Sequence, residues 1–543
     1  MNALLAVSVV LFAVRVYAAT TVGFGDSEAL YASWAVHPQP AYLDHPGLVG
    51  VVARAIGEGA SPTPMRAHAV TAIVATLLPW LVYASARAFG ATKERAAYAG
   101  LAVALVPETA VGLFAMTPDL LLAPLWLGGL ALAAIGLEAP AGSTRSSVAL
   151  LAAGLFAGTA CAAKVSGVLL VFALVAAYAS IALSKEPEGK AARTVWPWAG
   201  IAAGLIVMLP VILYEKKLGW PMLVHRLVDT QHGAGAATVL LRNIGAITLG
   251  QLAYLSPVFA VIAVVVARDL IRERGRDARG RLLFLAFTVP LVPLLALCLW
   301  SPVAEPHWIA PALLALPIHA ARRGAGASRR MYTAAAAVAA ALTLGAHAWV
   351  LTPQSARLLP ETSDPKLDIA SELHGWPTAL EAVREQMAGA ATPFDPEGRE
   401  VVVVGPHWTV CAQLHAGLPG VRVGCATTIK DDFDAWVPRE QWRRADHVLY
   451  VTDNRFEGDG GEQLPAHVKS AQSRVRIMRG GRTARVFHLY LYDRRGSGLR
   501  DTSDRDAEGR QALHEANENG DRAHEVEHPM PGADGLKHHA VRE

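Results

Sequence analysis

Eleven apolar stretches fill the first two-thirds of the sequence, and all but the tenth, which is short and flanked by Pro, approach the roughly 20 residues that a membrane-spanning helix needs. They begin near residues 3, 67, 95, 118, 147, 165, 193, 247, 281, 306 and 331. Charged residues are sparse in this part, since of 95 Asp, Glu, Lys and Arg, 54 lie from Pro353 onward and 41 before it. The sequence therefore predicts an α-helical polytopic membrane protein and excludes a fully soluble enzyme.

The Lys and Arg residues between the stretches predict the orientation. Loops after even-numbered spans hold 17 of them and loops after odd-numbered spans hold 7, and positive residues accumulate in cytoplasmic loops. With eleven spans, the chain after the last span lies on the opposite, extracytoplasmic face. Cys411 and Cys425 lie there and could form a disulfide, whereas Cys161 and Cys298 lie in apolar runs and are expected to be small core residues.

Three regions follow from these patterns. Residues 1–352 form the membrane domain, in which the first outer loop, residues 23–66, is too long for a simple turn. Residues 353–495 are predicted to form a small α/β domain, with helices at 378–388 and 408–416 and strands at 400–405, 421–423, 447–451 and 486–491. Residues 496–543 are polar and predicted to be disordered. A net charge of +3 is too small to indicate a nucleic-acid partner.

The outer connections carry the residues capable of chemistry. Ionisable groups at membrane depth are costly, so several of them on one face indicate a site. Each residue taken alone could instead cap a helix or meet lipid headgroups. The candidates are Asp26, Glu28 and Tyr31; Asp44 and His45; Asp119; Lys164; Tyr214; and Glu305, His307 and Trp308.

The first outer loop is expected to form two helices, at residues 27–36 and 46–56, that bring Asp26, Glu28 and Asp44 to the mouth of the membrane domain. A carboxylate there could deprotonate an acceptor hydroxyl or amine. It could instead hold a divalent cation beside a phosphate, with Asp44 and His45 as the candidate ligands.

Three cations lie at or inside apolar stretches. Lys164 and Arg66 could each bind a lipid phosphate as a positive charge, or extend along the membrane interface. Arg15 interrupts the first stretch, where an unpaired Arg is costly, so we expect it to have a carboxylate partner near the outer face.

Taken in order, these motifs resemble those of the bacterial polytopic GT-C glycosyltransferases of the dolichyl-phosphate-mannose-protein mannosyltransferase type. That family includes the aminoarabinose and galacturonic-acid transferases that modify lipopolysaccharide. Its Asp-Glu-Ala-Tyr-Tyr-Trp, Tyr-Asp-His-Pro-Pro and Thr-Pro-Asp stretches have counterparts at residues 28–34, 42–47 and 117–119. Its Ser-Lys-Tyr-like, Pro-Val-Leu-x-Trp-Asn and Asn-Trp-x-x-Pro stretches have counterparts at residues 164, 210–220 and 305–311. The rear domain, at residues 375–436, is similar to an extension of some members.

The chain departs from the family pattern at three places. Ser27 stands where the family has its first-loop Asp, with Asp26 one residue earlier. Gly47 stands where the family has the second Pro of its Asp-His-Pro-Pro stretch, and Tyr214-Glu215 replaces the usual Trp-Asn. These changes leave Asp26, Asp44 and Glu28, in that order, as candidates for the base.

The resemblance implies that a sugar moves from a polyprenyl-phosphate carrier to a lipid A, glycan or protein acceptor, with inversion at the anomeric carbon. Lys164, then Arg66 and His45, would bind the donor phosphate, and the other named residues would line the substrate pocket. It also implies a protein of the inner membrane, in contact with membrane lipids, whose site faces the periplasm. The one cofactor that the candidate residues could hold is a divalent metal cation, at Asp44 and His45.

Two other functions remain open at this point. A transporter or flippase of the same lipid would also need spans and a cationic outer pocket, but it would more naturally show an internal repeat, and we find none. A non-catalytic sensor of the lipid-linked sugar is compatible with the altered first-loop motif.

Overall fold

The computed structural model describes residues 1–495 apart from 185–188, 275, 304, 325–327, 361–362, 365–367, 391–400 and 457. The predicted disorder of residues 496–543 therefore lies outside the described residues. The chain divides into two compact units. The first comprises Met1–Leu351 together with two short later segments, His415–Pro419 and Thr428–Asp432, and the second holds the rest of the described chain from Thr352 on.

The first unit is helical. Its α-helices are α1 (Asn2–Thr21), α2 (Asp26–Ser33), α3 (Leu48–Ile56), α4 (Pro64–Ala88), α5 (Lys93–Leu105), α6 (Pro107–Ala110), α7 (Pro118–Glu138), α8 (Thr144–Ala163), α9 (Val168–Leu183), α10 (Gly189–Ala192), α11 (Trp196–Val207), α12 (Leu209–Leu218), α13 (Pro221–Val224), α14 (Ala237–Leu255), α15 (Pro257–Arg272), α16 (Ala278–Trp300), α17 (Ala310–Leu313), α18 (Ala315–Arg323) and α19 (Arg329–Leu351).

Ten of the eleven predicted stretches correspond to a helix or a bent helix pair of the described chain. Seven helices are each long and apolar enough to cross a membrane: α1, α4, α7, α8, α9 with the turn before it, α16 and α19. Three pairs satisfy the same test together: α5 with the segment Pro107–Phe114, α11 with α12, and α14 with α15, bent by 71°, 45° and 103°. Each second helix has a Pro in its first turn, where the ring removes an N–H donor and disfavours helical geometry in the preceding residue.

The predicted span near residue 306 has a different structure. The chain there forms a 3-10 turn, Pro306–Ile309, followed by the short helices α17 and α18. Pro306, Pro311 and Pro317 divide this stretch, and the short pieces follow from the hydrogen bonds that each Pro removes.

Close helix packing in the first unit depends on glycine. A Cβ added to Gly154 of α8 would lie 2.0 Å from the backbone carbon of Gly200 on α11, and one added to Gly158 would lie 2.1 Å from the carbonyl oxygen of Gly204. Because these side chains are absent, the two backbones can approach directly, as small residues allow in membrane helix pairs.

Arg15 lies buried within α1, at 1% exposure. Its Nη1 donates to Oγ1 of Thr76 at 3.0 Å, and its Nη2 donates to the carbonyl oxygens of Thr109 and Ala110, each at 3.2 Å. The expected carboxylate partner was wrong. The carbonyl groups at the end of α6, which have no partner within that short helix, accept from the guanidinium instead.

The second unit is an α/β domain, as predicted. Five strands, β1 (Val401–Gly405), β2 (Val423–Cys425), β3 (His447–Asp453), β4 (His467–Arg479) and β5 (Arg482–Arg494), form one sheet in the order β2-β1-β3-β5-β4. The first three strands are parallel, and β5 and β4 are antiparallel. The helices α20 (Trp376–Ala390), α21 (Trp408–Gly417), α22 (Asp432–Trp436) and α23 (Arg439–Trp442) complete the described later chain.

Cys411 and Cys425 are joined by a disulfide, with their Cα atoms 5.9 Å apart. The sequence left this pairing as a possibility, and in the structure the bond connects α21 to the end of β2. The other two cysteines, Cys161 and Cys298, are free and buried, as expected for small core residues.

Candidate active site

An ion pair joins the beginning of α7 to the end of α8. Nζ of Lys164 donates to both carboxylate oxygens of Asp119, at 2.8 Å from Oδ1 and 2.7 Å from Oδ2. Asp119 lies in the first turn of α7, and Lys164 is the C-cap of α8. Each charge therefore lies at the helix end whose dipole favours it. Two residues that the sequence assigned to one site are in direct contact.

His307 connects this pair to Glu305. Its Nε2 lies 3.8 Å from Oδ2 of Asp119, and its Nδ1 lies 3.1 Å from Oε2 of Glu305. The hydrogen bond with His307 lowers the pKa of Glu305 below its ordinary value, because it stabilises the ionised carboxylate. The neighbouring Trp308 is partly buried and packs near Leu294 and Ile309.

A second strong cation, Arg226, contacts the 23–66 loop. It lies on a π-helix, His225–Asp229, and its Nη2 is 3.2 Å from Oδ1 of Asp44. Its Nε donates to the carbonyl oxygen of Asp44 at 3.2 Å, and Nη2 lies 3.4 Å from Nε2 of His45. The Asp-His pair of the first outer loop is therefore held against a guanidinium.

His45 lies where these charged groups converge. Burial holds the pKa of its ring well below the ordinary value, so the ring is neutral at neutral pH. Three nearby positive groups lower the pKa further: Arg226, Lys164 and His307. We refer to Asp44, His45, Asp119, Lys164, Arg226 and His307 as the polar cluster.

Tyr31 lies beside this polar cluster. Its ring centroid is 6.2 Å from that of His45. Burial raises the pKa of its hydroxyl well above the ordinary value, so the phenol stays protonated and can donate a hydrogen bond. Its hydroxyl also interacts electrostatically with Asp44, Arg226, Asp119 and Glu305, which shows that residues from distant parts of the sequence meet here.

The carboxylate of Glu28 holds α2 in place. Its Oε2 accepts from the backbone N–H of Gly25 at 3.0 Å, and its Oε1 accepts from that of Met116 at 2.7 Å. Nε2 of His68 lies 3.1 Å from Oε1 and 3.3 Å from Oε2. Both oxygens are thus engaged by the protein itself, and this geometry favours a structural role for Glu28.

Asp26 begins α2, two residues before Glu28, and is 5% exposed. The capping contact of Glu28 with Gly25 fixes the first turn of this helix and hence the backbone of Asp26. Asp26 therefore lies on a rigid element, as a site residue should.

The middle of the 23–66 loop is packed by aromatic rings. Trp34 stacks on Tyr42 with ring centroids 3.9 Å apart. Asp432, whose short segment belongs to the first unit, accepts from Nε1 of Trp34 at 3.1 Å and from the backbone N–H of Leu43 at 3.0 Å. Burial raises the pKa of Asp432 to about 8. These contacts fix the residue immediately before Asp44.

The two remaining predicted residues, Tyr214 and Arg66, contact other residues of the 23–66 loop. Tyr214 of α12 donates from its hydroxyl to Oε1 of Gln39 at 3.0 Å. Arg66 pairs with Glu58, Nη1 to Oε1 at 3.1 Å, and both side chains are well exposed. Among the described residues, no hydrogen bond or ion pair joins Arg66 to Lys164 or His45.

The sequence also suggested Asp44 and His45 as candidate ligands of a divalent cation. Across the parts of the chain that the structure describes, no group of three or more His, Cys, Asp and Glu side chains is placed to hold a metal ion. Asp44 and His45 both contact Arg226.

Sequence reasoning missed two residues near the site. Arg226 is one of the seven Lys and Arg residues in the loops after odd-numbered spans, and its partners Asp44 and His45 lie 182 and 181 residues earlier in the chain. Glu108, on α6, interacts electrostatically with His307, Asp119 and Lys164. It is the only charged residue between Arg95 and Asp119, and an isolated acid in an apolar stretch is a signal that could have found it.

Part of the chain that carries these residues is similar to a known protein family. Residues 52–214 match the model of the dolichyl-phosphate-mannose-protein mannosyltransferase family, a range that contains Asp119 and Lys164. A comparison with curated protein sequences finds no match.

The fold is similar to that of ArnT from Cupriavidus metallidurans. The TM-score is 0.56 to its crystal structure bound to undecaprenyl phosphate and 0.55 to its apo structure, with 16% sequence identity to each. Both matches cover 90% of this chain and 97% of ArnT. The chain therefore has the GT-C fold of ArnT, and residues 52–214 are similar to the protein mannosyltransferase family.

Proposed function

We propose that the chain transfers a sugar from a polyprenyl-phosphate carrier to an acceptor on the extracytoplasmic face of the inner membrane. The observation that carries this proposal is the polar cluster, in which Lys164 and Arg226 lie close to the neutral ring of His45. The undecaprenyl phosphate bound by ArnT, whose fold this chain shares, supports the choice of donor.

The leaving group of this reaction is a lipid phosphate, so positive charge must meet it as the bond to the sugar breaks. Lys164 and Arg226 supply that charge. Each is already paired with one carboxylate, Asp119 or Asp44, which holds the cation in position before the donor arrives. Arg66 is exposed and paired with Glu58, so we assign it no part in binding the phosphate.

Asp26 is the base in this proposal. It removes the proton of the acceptor hydroxyl or amine while the acceptor atom bonds to the anomeric carbon from the face opposite the phosphate. The bond between that carbon and the phosphate oxygen breaks at the same time, and its electron pair leaves with the phosphate. The configuration therefore inverts. Glu28 is not the base because its oxygens accept backbone hydrogen bonds, and Asp44 is second choice because it pairs with Arg226.

The proposal includes three alternative acceptor classes, which are lipid A, a glycan and a protein. If a divalent cation takes part, Asp44 and His45 are its ligands, and binding must displace their contacts with Arg226.

The test uses the full-length protein in detergent micelles with radiolabelled polyprenyl-phosphate sugars, each acceptor class in turn, and buffer with or without chelator. We expect label transfer from one donor together with release of polyprenyl phosphate. Asp26→Asn should reduce kcat by at least about 100-fold while donor binding is retained, in the range typical of general-base loss.

Glu58→Gln is the matched control, since this carboxylate is exposed in the same loop. Donor binding without transfer to any acceptor, or donor movement across vesicles without cleavage, would support the sensor or the flippase instead. Normal turnover by Asp26→Asn with loss in Asp44→Asn would move the base to Asp44.

A further inference from the structure

Glu108 lies where a bent helix pair turns. The residue before Pro107, Val106, has extended geometry, and the segment Pro107–Phe114 leaves the axis of α5 at 71°. Pro107 cannot continue the helix of α5, because it has no N–H and restricts Val106. The bend therefore places an acid near the beginning of α7, rather than at the end of a straight span.

The charges around Glu108 are those of the polar cluster. Its carboxylate interacts electrostatically with His307, Asp119 and Lys164. It also acts on the hydroxyl of Tyr254 on α14, as Glu305 does. Four separate elements, α7, α8, α14 and the turn Pro306–Ile309, thus contribute to one environment around this side chain.

Both positive groups that act on Glu108 already have carboxylate partners. Lys164 is bonded to both oxygens of Asp119, and His307 pairs with Glu305. Within the described residues, the carboxylate of Glu108 forms neither a hydrogen bond nor an ion pair, and its side chain is only half-buried. A carboxylate in a partly desolvated site is costly unless a partner satisfies it, and a bound substrate can be that partner.

We propose that Glu108 is a specificity-determining residue that accepts hydrogen bonds from the transferred sugar and selects neutral or amino sugars against sugars that carry a carboxylate. This inference rests on the proposed function. Hydroxyl and ammonium groups of a sugar donate to a carboxylate, whereas a uronic acid would place a second negative charge beside it. Like charges brought together at a binding site oppose binding strongly.

The experiment compares wild type, Glu108→Gln, Glu108→Asp and Glu94→Gln in detergent. Three polyprenyl-phosphate donors are used, carrying a neutral hexose, an amino sugar and a uronic acid, and both Kd and kcat/KM are measured for each. Glu94 is the matched control because it lies on α5 of the same bent pair but is exposed at the other end.

Wild type should disfavour the uronic acid donor by about 100-fold or more, the scale of a close like-charge contact. Glu108→Gln should reduce this discrimination to about 10-fold or less, Glu108→Asp should retain most of it because the charge remains, and Glu94→Gln should match wild type. Unchanged discrimination in Glu108→Gln, or a wild type that prefers the uronic acid, would overturn the inference while leaving the proposed function intact. Failure of the wild type to bind or transfer any donor would overturn the proposed function and this inference together.

Discussion

Nζ of Lys164 lies within 2.8 Å of both carboxylate oxygens of Asp119. The two residues come from different helices and are mostly shielded from water, with side-chain exposures of 9% and 24%. An ion pair in such a place is costly to break, since the remaining partner keeps an uncompensated charge. The pair therefore serves both to fix α7 against α8 and to orient the ammonium that we assign to the donor phosphate.

Removing one partner should have a larger effect on stability than removing both. Asp119→Asn should destabilise the protein by about 3 kcal/mol, the lower end expected for breaking a buried pair. Asp119→Asn with Lys164→Met should recover much of that stability, but not transfer. Thermal unfolding in detergent and label transfer check the two effects separately. Equal stability losses in the single and double variants would show that the pair contributes no coupling.

Arg226 should affect donor binding more than the structure of the loop. Arg226→Ala removes the charge beside Asp44 and His45 and should raise the KM for the donor by at least about 10-fold, equivalent to about 1.4 kcal/mol. Arg226→Lys keeps the charge but loses the two-point contact with Asp44, so its KM for the donor should lie between those of the wild type and of Arg226→Ala.

Lys217→Ala is the comparison for this prediction, because it removes one exposed positive charge near the end of α12. A similar rise in KM in both variants would indicate a general effect of charge on donor attraction. No change in KM for Arg226→Ala would remove this residue from the donor site.

Asp432 should make stability depend on pH. Its folded pKa is raised to about 8, chiefly by burial, while an unfolded Asp titrates near about 4. Between these values the folded state keeps a proton that the unfolded state releases, so the free energy of unfolding falls as pH rises, by up to about 1.4 kcal/mol per pH unit. Asp432→Asn keeps an amide oxygen to accept from Trp34 or Leu43 but does not titrate.

The measurement is the Tm of both proteins from pH 5 to pH 9. Wild type should lose stability relative to Asp432→Asn as pH increases. A Tm difference that stays constant across this range would mean that Asp432 titrates as an ordinary Asp.

Gly154 should not tolerate even a methyl group. Gly154→Ala places a Cβ 2.0 Å from the backbone of Gly200, so α8 and α11 must separate, at a cost of about 1–3 kcal/mol for overpacking. Gly245→Ala on α14, where nothing lies within 4 Å of the added atom, should leave Tm unchanged or raise it, since Ala favours a helix over Gly. Equal melting temperatures for the two variants would contradict the packing argument.

The sequence predicted the presence of the helices better than the positions at which they bend or end. Ten of the eleven predicted stretches correspond to a helix or a bent helix pair, because the main requirement for a membrane-spanning helix is a sufficiently long apolar run. It did not show where a helix bends at Pro107 or shortens after Pro306, because a Pro in an apolar run is compatible with either a kink or an end. Strand β4 was also missed. Most of its side chains are exposed, and a polar edge strand has no apolar run that would mark it.

The site was partly predictable for a related reason. Residues next to each other in a motif, such as Asp44 and His45, could be found from local sequence. Partners brought together by the fold could not, and these include Arg226 with Asp44 and His68 with Glu28. Arg15 is the clearest case, because two of its three oxygen partners are carbonyl groups that become available only where α6 ends.

The buried Arg15 also bears on how the chain enters the bilayer during synthesis. The hydroxyl and carbonyl groups that accept from its guanidinium belong to Thr76, Thr109 and Ala110, which leave the ribosome long after α1. Until they arrive, the first helix carries a charge that the lipid interior disfavours. We therefore expect α1 to reach its final depth in the membrane only together with α4 and α6, so that several helices of this protein insert jointly.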